Sequence, residues 1–540
     1  MKLLKSSFYI ASALVIASCG STAPILSTPI ANIDTTPLKE TPLSEKELHT
    51  WGHKDLITDT IPGMSVDKAY AEIIKGKKGK KVIVAVLDSG IDIDHEDLDD
   101  VIWTNKKEIP NNGKDDDKNG YVDDIHGWNF LGDSYNENME KTRIAKKGPS
   151  HPDYEAAQAE IDAEYKKYSG IKTRLDQTAA RIKSSDDALK AYFKKDNYTF
   201  EEVKAIKTTN EELQQHIGLA KQILASGRYK NLGEVLEAIN GDMESVTDFL
   251  NYYLNKNFNG RTPVGDDPYD ITDTNYGNGN VKHIKKSELH GTHVAGIIAA
   301  ERNNGKGVNG VANNVEIMAV RTVPNGDEYD KDVALAIRYA VNNGARVINT
   351  SFGKYFSQNS EWVRDAIAYA GKNNVLIVNA AGNENLDLDT KPVYPNDQTK
   401  TGTEVSDTFL TVGALSNKYG SQMVARYSNY GQTNVDVFAP GSQIYSTFPE
   451  NEYEAISGTS MAAPGVAGVA ALILSQYPKL TAAQVKQIIM QSGLPINRDV
   501  VVDQSKDAMP FSKSSRSGKI VNAYNALILA DKVNRGQVKL

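Results

Sequence analysis

The chain has 540 residues, 40% of them apolar and 24% charged, with a formal net charge of −8. That supplies one large core with material for a further module, and it excludes a disordered polymer. The mild acidic balance and the lack of a basic stripe exclude nucleic acid as a partner.

Lys2 and Lys5 precede an apolar run, Phe8 to Ala17, too short to span a bilayer in a mature protein. The run ends in Ile16-Ala17-Ser18-Cys19, which resembles a bacterial lipobox, and Cys19 is the single cysteine of the chain. The resemblance implies that residues 1–18 are a lipoprotein signal peptide and that Cys19 is lipidated. The protein would then be exported and held by its lipid at the cell envelope, periplasmic or cell-surface. An ordinary signal peptide with a chance cysteine, or an unprocessed anchor, is the alternative. Residues 19–50 carry Pro24, Pro29, Pro37 and Pro42 with little periodic apolar content, and read as a tether.

From Trp51 a folded domain begins. Val82-Ile83-Val84-Ala85-Val86-Leu87 suits a strand buried on both faces of a parallel sheet. Later strands near 315–321, 345–350, 375–380 and 409–414 alternate with helical stretches at 330–343 and 360–373. This alternation predicts an α/β fold with a doubly wound, mostly parallel sheet and right-handed crossovers, built from residues 51–149 and 258–535. Functional residues should gather at the carboxyl ends of its strands. Residues 150–257 form a helical insertion. Ile161, Tyr165, Tyr168, Leu175, Ala179 and Ile182 fall on helical steps, and Thr199 with Glu202 forms a capping box ahead of Val203, Ile206, Leu213 and Ile217. Further short helices are expected over 232–239 and 246–254. A small antiparallel hairpin or bundle is expected. Its stripes read first as core, and a partner-binding role is the alternative.

Four motifs then carry chemistry. Asp88-Ser89-Gly90-Ile91-Asp92 puts a carboxylate at a strand end, and His290-Gly291-Thr292-His293-Val294-Ala295-Gly296 opens a helix with a histidine beside glycine. Asn379-Ala380-Ala381-Gly382-Asn383 ends a strand with an amide side chain. Gly458-Thr459-Ser460 heads a helix of small residues, among them Gly465, Ala467 and Gly468, with buried-type Val466, Val469 and Leu472. Taken alone, Ser460 is an ordinary helix cap. Taken together, the groups divide into a hydroxyl nucleophile (Ser460), its base (His290), an orienting carboxylate (Asp88) and oxyanion donors (Asn383 and the Ser460 amide).

In this Asp–His–Ser order on an α/β pattern, the chain strongly resembles the subtilisin-like serine peptidase family. The resemblance covers about residues 51–145 and 258–530. It implies a serine endopeptidase acting through an acyl-enzyme, with Asp88, His290 and Ser460 at the triad positions and Asn383 at the oxyanion position; His293 matches a packing position. The 202 positions between Asp88 and His290 exceed those of compact members, which a surface insertion accommodates at little thermodynamic cost. The family likeness also makes Ser351, Phe352 and Gly353 a substrate-pairing segment. Val393, where members often have glycine before the Tyr-Pro that matches Tyr394-Pro395, should narrow the first pocket against aromatic side chains. Glu384 should favour a basic residue near its rim.

The stretch Asn111–Asp124 packs oxygen donors around a turn. Asp115, Asp117, Asn119 and Gly120 match the start of an EF-hand-type loop and Asp123 adds a carboxylate, but position twelve is His126, so the loop is not an EF-hand. A structural calcium is the expectation, with no cofactor required for chemistry, and a solvated acidic loop is the alternative. Asp97 matches a position that ligates structural calcium in the family. Two other functions stand against the peptidase: a tethered scaffold that displays the insertion, and an enzyme held latent by the insertion as a lid.

Overall fold

A computed structural model describes residues 25, 27–31, 33, 35–39, 41–502 and 507–540. Residues 1–18, read above as a signal peptide, and Cys19 lie outside the described residues. The core is a sheet of nine strands. Eight run parallel, among them β1 (Val82–Asp88), β2 (Gly127–Asn129), β3 (Val315–Arg321), β4 (Val347–Thr350), β5 (Leu376–Ala380), β6 (Phe409–Leu415) and β7 (Val437–Pro440), in the order β7-β6-β5-β4-β1-β3-β2. Two short strands, Leu494–Pro495 and Lys519–Ile520, extend the β7 edge. β1 is central, with Asp88 opposite Arg321 of β3 and Leu87 opposite Thr350 of β4. Strands covered on both faces have no need of polar alternation, which is why β1 reads as an unbroken apolar run.

Helices cover both faces. On one lie His290–Ala299 and Thr459–Gln476, packed against one another and over the central strands; on the other lie Asp330–Asn342 and Ser360–Lys372. Thr459–Gln476 is long and apolar enough to cross a membrane, but its residues are buried inside the body, and that burial accounts for its composition. Its glycines permit contact that a side chain would block: a Cβ on Gly468 would stand 2.6 Å from Val311 Cβ.

The stretch expected to be a tether is fastened to the body in its described part. Ile33 is buried, and Asn525 of the last helix bonds both the amide and the carbonyl of Ile30 at 2.8 and 2.9 Å. A capping box of Ser44 and Glu47 starts the helix Glu45–Thr50 inside the same stretch. Isolated apolar residues spaced among prolines leave no periodic trace, so composition alone hid this docking.

The insertion is built on a helix of 40 residues, Tyr154–Phe193, about 60 Å long. Its fully buried side chains lie toward its two ends. Near the body, Ile161 packs with Ala145 and Leu254, and Tyr168 stacks on Phe249. At the far end Ile182 and Leu189 join Val203, Ile217, Leu224 and Leu232 in a separate small core. Tyr165, expected on the buried stripe, is 55% exposed.

Candidate active site

Asp88 closes β1 and is buried. The next turn runs against the helix that starts at His290, where a Cβ on Gly291 would lie 2.3 Å from Gly90 O. Glycine at that position lets the helix end approach the strand end. The approach places His290 Nδ1 2.8 and 3.0 Å from the two Asp88 carboxylate oxygens. A carboxylate only accepts, so Nδ1 carries the proton and Nε2 is left as the basic nitrogen. Burial pulls the imidazole pKa down, but the charge of Asp88 and its hydrogen bond outweigh this and hold it above the ordinary value. His293, one turn on, turns Nε2 to the carbonyls of Ile444 and Glu454, and burial lowers its pKa to about 3.

Ser460 is the second residue of Thr459–Gln476, which is capped at Gly458. Its amide is one of the helix donors without an intrahelical acceptor. Its hydroxyl donates to Ser351 O at 2.9 Å, while Ser351 Oγ donates back to Ser460 O at 2.9 Å. Sequence explains the second bond. Pro464 has no N–H, so the Ser460 carbonyl loses its partner four residues on, and Ser351 supplies the missing donor. Asn349 Nδ2 in turn holds Ser351 Oγ at 2.8 Å.

Asn383 follows β5 through Gly382, whose φ of +100° favours glycine. The Asn383 side-chain oxygen accepts from Thr459 N at 2.9 Å and Thr459 Oγ1 at 3.0 Å. With Oδ1 fixed in this way, Nδ2 keeps its two N–H groups for a ligand beside Ser460. These four side chains line one cleft of about 320 Å³.

Ser351, Phe352 and Gly353 line the same cleft, and Lys354 pairs its backbone with Tyr394 at 2.9 Å in both directions. Val393 closes on this segment: a Cβ on Gly353 would meet Val393 Cγ2 at 3.2 Å. Glu384 also lines the cleft, but its carboxylate accepts from the Asn383 amide at 2.9 Å and burial raises its pKa. Sequence reasoning missed three further acids on the cleft, Glu288, Asp327 and Glu328. Glu288 holds Arg321 at 2.5 Å, and Arg321 Nε donates to Ser89 O at 2.9 Å, bracing the turn after Asp88. Glu328 is buried with Oε1 unpartnered, and burial pushes its pKa up to about 7. The opposing register of Asp88 and Arg321 would have pointed to the brace, but register is invisible before strands are paired. The insertion reaches the cleft at Asn325, which bonds Asp248 at 2.8 Å and accepts from the Tyr253 hydroxyl.

Of the expected metal ligands, Asp115 and Asp117 come together, joined by Glu108. Asn119 Oδ1 accepts from Tyr121 N at 2.8 Å, and Asp123 accepts from Asn112 N and Gly113 N at 3.1 and 2.9 Å. Asp97 stands apart, its oxygens taken by Asn304 Nδ2 at 2.6 Å and Val308 N at 3.0 Å.

The family model described as the subtilase family matches residues 79–512. A thermophilic serine proteinase of Bacillus sp. strain AK1 is 35% identical over 296 residues, covering 54% of this chain and 63% of the relative. Thermitase of Thermoactinomyces vulgaris is 41% identical over 188 residues, covering 35% of this chain and 61% of the relative. Subtilisin DY of Bacillus licheniformis is 38% identical over 199 residues, covering 36% of this chain and 67% of the relative. The matched segments thus span less than two thirds of the first two relatives.

Proposed function

Because the chain belongs to the subtilase family, we propose that it is a serine endopeptidase that hydrolyses peptide bonds in proteins through an acyl-enzyme on Ser460. The observation that carries this is the His290–Asp88 pair at 2.8 Å, sharing one cleft with Ser460 and the Asn383 amide. Rotation about χ1 moves the Ser460 hydroxyl from the Ser351 carbonyl to His290 Nε2. The oxygen then attacks the scissile carbonyl carbon as Nε2 takes its proton, and Asp88 stabilises the imidazolium. Charge that develops on the carbonyl oxygen is met by Asn383 Nδ2 and the Ser460 amide. Collapse of the adduct expels the amine, which receives the proton from His290. Water, deprotonated by the same nitrogen, then releases the acid and restores the hydroxyl.

Val393 against Gly353 supports a shallow first pocket that disfavours aromatic side chains. Glu384, Asp327 and Glu328 support a basic residue elsewhere on the substrate. The Cys19 lipobox supports lipid anchoring in the cell envelope.

Burst kinetics with an activated ester test the chemistry. One equivalent of leaving group should appear before the steady state, and Ser460→Ala should abolish it; a burst in that variant overturns the assignment. A peptide library dominated by Phe or Tyr before the cleaved bond would remove the pocket reading. Fatty-acid labelling that persists in Cys19→Ser would remove the anchor.

A further inference from the structure

Beyond β3 the chain runs along one wall of the cleft, where Val323 to Glu328 line it. Each polar group of Asn325 is engaged. Its N–H donates to Tyr135 O at 2.8 Å and its carbonyl accepts from Glu137 N at 2.9 Å, which makes a parallel bridge with Asn136. Its Nδ2 donates to Asn136 Oδ1 and Asp248 Oδ2, both at 2.8 Å, and its Oδ1 accepts from the Tyr253 hydroxyl. Asp327 N donates to Asn138 O at 3.3 Å. Gly326, between these two residues, has neither its N–H nor its carbonyl bonded among the described residues, and it lines the cleft. Unpaired backbone groups beside a groove are the edge to which an extended peptide can add.

Two of the partners of Asn325 come from the helical insertion. Asp248 ends the helix Leu232–Asp248, and Tyr253 closes the turn Phe249–Tyr253 that follows it. The same turn is packed on the long helix: Phe249 stacks on Tyr168 with 3.9 Å between ring centroids and meets Tyr253 edge-on at 4.7 Å. The turn also holds the segment bridged to the wall, since Asn138 Nδ2 donates to Tyr252 O at 2.6 Å and Met139 N donates to Tyr253 O at 3.1 Å. One carboxylate and one hydroxyl therefore grip the two ends of a single amide, and the Asn325 side chain turns only by breaking both bonds.

We infer that Tyr253 and Asp248 are positioning residues for the peptidase: acting through Asn325, they set the cleft wall at Gly326 and with it the affinity for extended peptides. This rests on the peptidase reading above. Neither residue lines the cleft or reaches Ser460. The consequence is a split by substrate length. An ester of one amino acid occupies only the neighbourhood of Ser460, whereas a peptide extended on both sides of the cleaved bond also lies along the wall. Loosening the wall then removes binding from the long substrate alone, which raises KM and leaves kcat in place.

Kinetics of the full chain on such an ester and such a peptide, beside fluorophosphonate labelling, test the inference. Tyr253→Phe should raise KM for the peptide about three- to tenfold with kcat within about twofold, so the peptide-to-ester ratio of kcat/KM falls. Asp248→Ala supplies the same test if the first variant does not fold. Once Asn325→Ala has removed the amide, Tyr253→Phe should lower the ratio no further. Lys183→Ala, in an exposed pair on the long helix, should leave the ratio as in the parent. Equal loss on both substrates overturns the inference, as does an unchanged ratio in Tyr253→Phe and Asp248→Ala, or an added loss in the Asn325→Ala background. Any of these in a parent that labels on Ser460 leaves the peptidase reading standing. A parent that neither labels nor cleaves removes that reading and the inference with it.

Discussion

The hydroxyl of Ser460 rests on a carbonyl that belongs to the residue repairing its own helix. Ser351 and Pro464 are therefore energetically linked through the Ser460 carbonyl. Ser351→Ala should leave that carbonyl without a donor and cost about 1–3 kcal/mol. Pro464→Ala restores an N–H four residues on, so the double variant should lose less than the sum of the two single variants, as measured by denaturant unfolding. The imidazole gives a second residue-scale prediction. His290 must be neutral to accept a proton, and its pKa lies above the ordinary 6.5 because of Asp88. The rate kcat/KM should therefore fall as pH drops through a midpoint above 6.5, and Asp88→Asn should move that midpoint down along with a large loss of rate. A midpoint that stays in place in Asp88→Asn contradicts the pairing. Asn383→Ala should cost about 10²–10³-fold in kcat, a magnitude that comes from the oxyanion asparagine of a subtilisin itself.

At the scale of elements, the parallel strands and the helices between them were legible because strands buried on both faces are written as apolar runs. The motif residues were legible because they sit where those runs stop: Asp88 ends β1, and Asn383 lies just beyond β5. The insertion was legible as helix, and most of its apolar stripe packs as expected, with Tyr165 the exception. A periodic stripe states which side of a helix is apolar and says nothing about whether a partner helix is long enough to cover it. Tyr154–Phe193 leaves Tyr165 exposed and Gly170 half-buried. A Cβ on Gly170 would meet nothing. Gly170→Ala should then stabilise this helix by about 0.5–1 kcal/mol, read as slower amide exchange around residue 170 with activity unchanged. Faster exchange there would mean that a side chain at position 170 meets a neighbour after all. The acids Glu108, Glu288 and Glu328 were illegible for a different reason. Each gains its meaning from a residue distant in sequence or from a burial that only the folded chain creates.

Across the whole molecule, the segments of the α/β body that flank the insertion are held in place by buried charge. Arg261, where the chain re-enters the body, pairs with Asp266 at 2.6 Å and Asp332 at 2.7 Å, and Lys331 pairs with Asp266 at 2.8 Å. On the entering side, Lys354 stands 3.0 Å from Asp330 and 3.5 Å from Glu140 of Glu140–Lys147. Lys354 follows Gly353 of the cleft wall, so the entering root of the insertion is ion-paired beside the cleft. Taking one member from a buried pair leaves an uncompensated charge, and Arg261→Ala should cost about 3–5 kcal/mol. Lys183, in an exposed pair with Asp187 on the long helix, should cost less than about 1 kcal/mol when changed to alanine. Similar losses in both, by chemical denaturation, would refute the view that buried charge fixes these flanking segments.

The central claim is an activated serine in a cleft built by Asp88, His290 and Asn383. Intact-mass and peptide analysis of the full chain after treatment with a fluorophosphonate test it most directly. One adduct per chain is expected, on the peptide that contains Ser460, absent in Ser460→Ala and strongly slowed in His290→Ala. No adduct in the parent, or an adduct that forms at the same rate without His290, would contradict it.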